Sequence, residues 1–239
     1  MDERNLAVIS IASVTGLFAF YNFLDHRKVI TDLLKRYIPY LFKNESIEFA
    51  GEKSTGILFT GIIPFIIFVL ILDIEPALLG LTVGKFTEFW YLYLLLPVIA
   101  VLSSFFISKN PVIQAGAPRL RLKNWELRHL LLTVACWVIY LLGYEFLFRG
   151  ILWFTCYNAF GFWLALGINT VLYSAVHLPK GKFMAVGTIP LGILFCLLSH
   201  ITCSFCLAFL IHVCMASAIE IFSLYHNPEF HIRFSKSSK

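Results

Sequence analysis

Two charged residues stand four apart inside an apolar run, Gly143-Tyr144-Glu145-Phe146-Leu147-Phe148-Arg149-Gly150. A charge at the centre of a bilayer costs on the order of 2.5–3.5 kcal/mol even on lenient insertion scales. Residues four apart share a helix face, so Glu145 and Arg149 can meet each other, and their face should point into protein. Further polar residues follow in later apolar runs: Asn169, Tyr173 and His177, spaced by four, then His212 and Glu220. A carboxylate and imidazoles, with no Ser or Cys in an evident nucleophile setting, suit water activation. The carboxylate takes a proton from water, and the imidazoles position that water or stabilise a tetrahedral oxyanion. The same Glu145, His177 and His212 could instead hold zinc, for which His and carboxylate are good ligands. No HExxH pairing is present, so such a site would have to be assembled from separate helices. The plain alternative is packing: an Arg–Glu pair can simply bridge helices, and a membrane histidine can be a hydrogen-bonded core residue.

These residues need elements to hold them, and composition says which kind. The chain has 239 residues, of which 59% are hydrophobic and only 14% charged. A soluble domain carries about a quarter charged residues. The expectation is an all-α, polytopic membrane helix bundle of about seven transmembrane helices. Apolar runs long enough to cross about 30 Å of hydrocarbon are expected near residues 6–24, 56–72, 89–106, 129–157, 161–178, 183–198 and 205–224. The fourth exceeds what one straight span needs, which predicts a tilt, or a bend near Gly143 or Gly150. The polar stretch after the first run has apolar and charged residues mixed over Leu33 to Phe42, a pattern that can lie on a membrane surface.

With seven spans the loops alternate sides. Sixteen Lys and Arg fall on one side and two, Arg4 and Lys85, on the other; Arg149 lies within a span. By the positive-inside rule this places the N-terminus outside and the C-terminus in the cytoplasm of a plasma or inner membrane. The net charge of +5 is thereby a topology signal, and no nucleic-acid partner is expected. The start Asp2-Glu3 is acidic and lacks a small-x-small cleavage pattern, so no cleavable signal is expected. The six cysteines sit in or beside apolar runs, as small buried side chains do. Cys203-x-x-Cys206 has no second pair to complete a metal site. No internal repeat appears, which ranks transport through a polar cavity last among the readings. Residues 1–123 are expected to hold the first three helices and their loops, and residues 124–239 the polar helical core with a basic tail.

Glu145-x3-Arg149, Tyr173-x3-His177 and the late His212 together resemble the three motifs of the CPBP (ABI) family. These are the type II CAAX prenyl endopeptidases and bacteriocin-processing membrane proteases. Phe148-Arg149-Gly150, His177-Leu178-Pro179 and the Gly/Pro-containing run Gly187 to Gly192 add to the likeness, which covers about Asn124 to Tyr225. The resemblance implies an intramembrane endopeptidase acting on a peptide or a membrane-anchored, prenylated substrate. Glu145, His177 and His212 would be catalytic, with Arg149, Tyr144 and Tyr173 in support. It requires no cofactor, although a divalent metal is compatible with it. Two positions depart from the pattern. The first of the family's two adjacent glutamates, its usual base, is Tyr144 here; neighbouring helix residues point about 100° apart, so Glu145 does not simply replace it. The Asn usual four residues after the last histidine is Ala216. These departures motivate an alternative, a catalytically inactive relative that binds a peptide or partner in an immunity, scaffold or maturation role.

Overall fold

The computed structural model describes residues 1–37 and 44–232. Of the segment Leu33 to Phe42, the part from Ile38 on lies outside the described residues, as do Lys43 and the tail residues Arg233, Lys236 and Lys239. The elements in order are α1 (Glu3–His26), α2 (Val29–Tyr37), α3 (Asn44–Ile57), α4 (Ile63–Phe65), α5 (Phe86–Ile107), α6 (Pro111–Gly116), β1 (Asn124–Trp125), α7 (Leu127–Glu145), α8 (Trp153–Phe160), α9 (Phe162–Ala175), α10 (Lys182–Thr202), α11 (Cys206–His226) and β2 (His231–Ile232). Wider π-helical turns at Leu58–Ile62 and Ile66–Ile71 flank α4, and another covers Phe146–Leu152. Seven helical stretches are long and apolar enough to cross a membrane, so the protein is an all-α polytopic bundle, as expected.

The apolar side chains on these helices face outward as well as inward. In α5 only Pro97, Ala100 and Ser104 are buried, while Leu94, Val98 and Leu102 are exposed. On a soluble protein such a face would be an aggregation surface; on a spanning helix it meets lipid. Helix α1 buries one stripe, Ala7, Ser10, Val14, Phe18 and Tyr21, at the three- and four-residue spacing of a helix face.

The described residues form two compact units. The first comprises Met1–Phe23, Gly56–Trp90 and Leu142–Phe209. Within it two helices touch backbone to backbone. A Cβ built on Gly143 would lie 2.8 Å from the Cα of Gly61, and one on Gly61 would lie 3.0 Å from the Cα of Gly143. Gly143 therefore serves close approach, as small residues do between membrane helices. In the long fourth span, where a tilt or a bend near Gly143 or Gly150 is expected, the helix widens into the π-helical turn Phe146–Leu152, which includes Gly150. Gly143→Val should push these backbones apart and cost about 1–3 kcal/mol. Thermal unfolding in detergent checks this, and an unchanged midpoint would show the contact to be soft.

The second unit comprises Leu24–Thr55, Tyr91–Leu141 and Leu210–Lys239. Its core gathers Phe49, Leu120, Trp125 and Leu224. Strands β1 and β2 pair in parallel, Asn124 with His231 and Trp125 with Ile232, tying the approach to α7 to the segment after α11. The second spanning helix starts earlier than charge alone suggests, at Ser46 rather than Gly56. Lys53, expected in a polar loop, is consequently a buried helical residue. It pairs with Glu52 at 3.0 Å and lies 3.7 Å from the ring centroid of Trp137 and 4.7 Å from that of Tyr140. The aromatic faces compensate part of the lost hydration. The second span therefore carries a buried charge pair of its own.

Candidate active site

Helix α7 ends at Glu145, and the π-helical turn that follows carries Arg149. Both side chains are fully buried, with Arg149 Nη1 3.3 Å from Glu145 Oε2. The guanidinium carbon lies 3.9 Å from the Tyr173 ring centroid and 5.2 Å from that of Phe195. None of Arg149 Nε, Nη1 and Nη2 meets an acceptor in hydrogen-bond geometry among the described residues, so the contact with Glu145 is an ion pair without a hydrogen bond, and aromatic faces provide much of the remaining surroundings. Gly192 on α10 leaves room for this arrangement: a Cβ there would come within 3.0 Å of Tyr173 Cδ1 and 3.8 Å of Arg149 Nη2.

The π-helical turn needs outside support, because widening disturbs the backbone ladder; such turns recur at functional sites. Asn169 supplies it from α9, donating from Nδ2 to the Phe148 carbonyl at 2.6 Å. That carbonyl also accepts the backbone N–H of Trp153. Asn169 thus holds the shape of the segment bearing Arg149.

Asn169 and Tyr173 lie on α9, but the regular helix stops at Ala175, so His177 sits just beyond it. Its backbone N–H bonds to the Ser174 carbonyl at 3.0 Å, leaving the Tyr173 carbonyl to be satisfied otherwise. The His177 ring does this through Nδ1, 2.8 Å from Tyr173 O. A carbonyl can only accept, so Nδ1 must carry a proton. The neutral ring then presents Nε2 as an acceptor. Donation to an oxyanion, the expected helper role, requires a second proton on Nε2; without it Nε2 accepts a hydrogen bond from water.

Tyr144 precedes Glu145 at the end of α7. It is buried, stacks on Phe148 with centroids 4.8 Å apart, and meets Phe18 edge-on at 6.1 Å. Its centroid lies 6.3 Å from that of His177 and 6.0 Å from that of Tyr173. The first unit therefore brings together Glu145, Arg149, Tyr144, Tyr173 and His177. His212, expected to join them, is buried in α11 and belongs to the second unit.

Glu220 has a structural partner of its own: Oε2 accepts the backbone N–H of Arg119 at 2.8 Å. The cysteines Cys203 and Cys206 are both unbridged, and their thiols turn to different carbonyls, those of His200 and Thr82. Among the described residues no group of three His, Cys, Asp or Glu side chains could hold a metal ion, and Glu145 is already engaged by Arg149.

Sequence reasoning overlooked the network of Glu52, Lys53 and Arg119 in the second unit, where Glu52 Oε2 is 2.6 Å from Arg119 Nη2. The available signal was the helical spacing of Ile47, Ala50 and Lys53, which are all buried. No curated protein and no solved structure matches the chain. Residues 125–218 match the family described as Type II CAAX prenyl endopeptidase Rce1-like, a protease family. That stretch contains Glu145, Arg149, Tyr173, His177 and His212. The motifs and the match agree: over residues 125–218 this chain is similar to the Rce1-like endopeptidases of the CPBP family.

Proposed function

We propose that the protein is an intramembrane endopeptidase that hydrolyses a peptide bond in a membrane-anchored substrate of the prenylated, CAAX-bearing class. The observation that carries this reading is the joint placement of Glu145, Arg149 and His177 within one compact unit, inside the stretch that matches a protease family. Glu145 and His177 share the attacking water. His177 Nε2 holds it by accepting a hydrogen bond, and the Glu145 carboxylate takes up the proton as hydroxide adds to the scissile carbonyl. Arg149 fixes the orientation of Glu145 through Oε2. The proton returns to the leaving amine when the tetrahedral intermediate collapses. His212 is assigned the oxyanion on the family resemblance, and Ala216 supplies no donor beside it. No step is routed through a metal.

In this reading the basic loops face the cytoplasm of a plasma or inner membrane and the N-terminus faces outside, as the Lys and Arg distribution favours. The test is cleavage of a prenylated peptide by the purified protein in proteoliposomes, with Glu145→Gln beside it. The amide keeps the shape and loses the base, so kcat should fall about 100-fold or more. Equal rates for the two proteins would remove Glu145 from the mechanism. No turnover of prenylated peptides, with retained binding, would instead identify an inactive relative that captures such chains.

A further inference from the structure

The second unit holds a cavity of about 280 Å³ lined by Asp25, Lys28, Thr31, Glu48, Phe49, Glu52, Arg119 and Arg121. Its size is at the low end for small-molecule pockets, enough for a headgroup and too little for a folded peptide. Three cations and three carboxylates line it, so it carries no excess of either sign. A polyanionic ligand would meet the carboxylates and a simple cation would meet the guanidinium groups. A ligand carrying both charges satisfies both halves.

Close packing and ion pairs join much of the lining. Helix α2 packs so closely on α3 at Thr31 and Gly51 that any side chain at Gly51 would collide with Thr31. Glu52 is held by Arg119 at 2.6 Å and Lys53 at 3.0 Å. Glu48 pairs with Lys28 at 3.1 Å and with Lys35 at 3.2 Å. Lys28 stands at the α1–α2 junction with a φ of 52°, a left-handed conformation uncommon for a non-glycine residue. Asp25 differs from the other two carboxylates. It has no ion pair or hydrogen bond to its side chain among the described residues, although Glu52, Lys53, Arg119 and Lys28 surround it.

Helix length bears on the level of the cavity in the membrane. Helix α1 has 24 residues, about 36 Å at 1.5 Å per residue, against about 30 Å of hydrocarbon. A helix of that length leaves about one turn beyond the hydrocarbon, and its C-terminal turn carries the charged Asp25, beside the charged loop residues Arg119 and Arg121 in the cavity lining. We propose that this cavity binds the phosphoethanolamine headgroup of a membrane lipid, with Asp25 receiving the ammonium and Lys28 and Arg121 facing the phosphate. A primary ammonium donates hydrogen bonds to a carboxylate and a quaternary choline cannot, so the site distinguishes the two zwitterionic lipid classes. This assignment stands whether or not the protein cleaves peptides.

The experiment compares the full chain in nanodiscs of phosphatidylcholine alone, phosphatidylcholine with phosphatidylethanolamine, and phosphatidylcholine with phosphatidylglycerol. Lipids retained after delipidation are counted by native mass spectrometry. Phosphatidylethanolamine should be retained about tenfold over phosphatidylcholine, as one added charge-assisted hydrogen bond allows. Asp25→Asn should bring that ratio close to one while leaving the unfolding midpoint in phosphatidylcholine unchanged. Lys28→Gln should lower retention of both zwitterionic lipids. Equal retention of the two by the wild type, a ratio that survives Asp25→Asn, or a preference for phosphatidylglycerol would each overturn the assignment. Soluble phosphoethanolamine is added in a further arm; if it displaces the retained lipid at micromolar concentration, the ligand is a free metabolite and the lipid assignment falls.

Discussion

Arg149→Leu is expected to destabilise the protein by about 3–5 kcal/mol, because it leaves a fully buried carboxylate without its cation. The arginine is 0% exposed, as is Glu145, so neither can turn to water. At the usual scaling of about 2–4 °C per kcal/mol for a chain of this size, the unfolding midpoint should fall by roughly 6–20 °C. Arg149→Lys should recover only part of the loss. Its compact ammonium cannot spread across the Tyr173 and Phe195 faces as the planar guanidinium does. The decisive comparison is the double variant Glu145→Leu/Arg149→Leu. Removing both charges abolishes the desolvation problem together with the attraction, so the double variant should be more stable than Arg149→Leu alone. A single variant as stable as the wild type would show that Glu145 finds its compensation elsewhere. A double variant that folds yet cleaves nothing would separate the role of the pair in chemistry from its role in packing.

The pair itself was legible because charge in an apolar run stands out, and four-residue spacing fixes a shared face. The winding between its members was not. Phe146, Leu147, Phe148, Ile151 and Leu152 are apolar on every side, so hydrophobic period carries no phase from which a wide turn could be recognised. The partner of that turn, Asn169, was visible as a polar residue in a span, but nothing in its position named the Phe148 carbonyl. The end of α9 before His177 was hidden for a related reason. Asn169, Tyr173 and His177 keep a four-residue spacing through the point where the helix stops, and the ring of His177 takes over the carbonyl bond that its backbone N–H gives up.

Span counting succeeded because about 20 apolar residues are hard to mistake, yet it placed the start of the second span where the charges ended. Glu52 and Lys53 neutralise each other, and Trp137 and Tyr140 lie on a different helix. A charged turn can therefore enter the helix for reasons written elsewhere in the chain. Glu220 shows the converse. It shares a helix face with His212 by spacing, but its carboxylate serves the backbone of Arg119, a partner about a hundred residues away that spacing along one helix cannot name.

His177 separates positioning from chemistry more sharply than any other residue here, because its two ring nitrogens do different work. Nδ1 caps the last turn of α9 at 2.8 Å; Nε2 is the atom proposed to hold water. Asparagine reproduces a donor near the Nδ1 position and has nothing at the Nε2 position, so His177→Asn should fold within about 1 kcal/mol of the wild type. Its kcat/KM should nevertheless fall by about 10²–10⁴, the usual contribution of a placed proton acceptor. His177→Phe keeps the ring that packs 4.9 Å from Tyr173 and 6.3 Å from Tyr144, but it strands the buried Tyr173 carbonyl. It should lose activity to the same degree and an additional 1–3 kcal/mol or so of stability. The measurement is the pair of values, unfolding midpoint and kcat/KM, for both variants. Equal destabilisation of the two would mean that the asparagine does not cap the helix. Full cleavage by a well-folded His177→Asn would mean that Nε2 holds no water, and Glu145 would then have to activate it alone while still bound to Arg149.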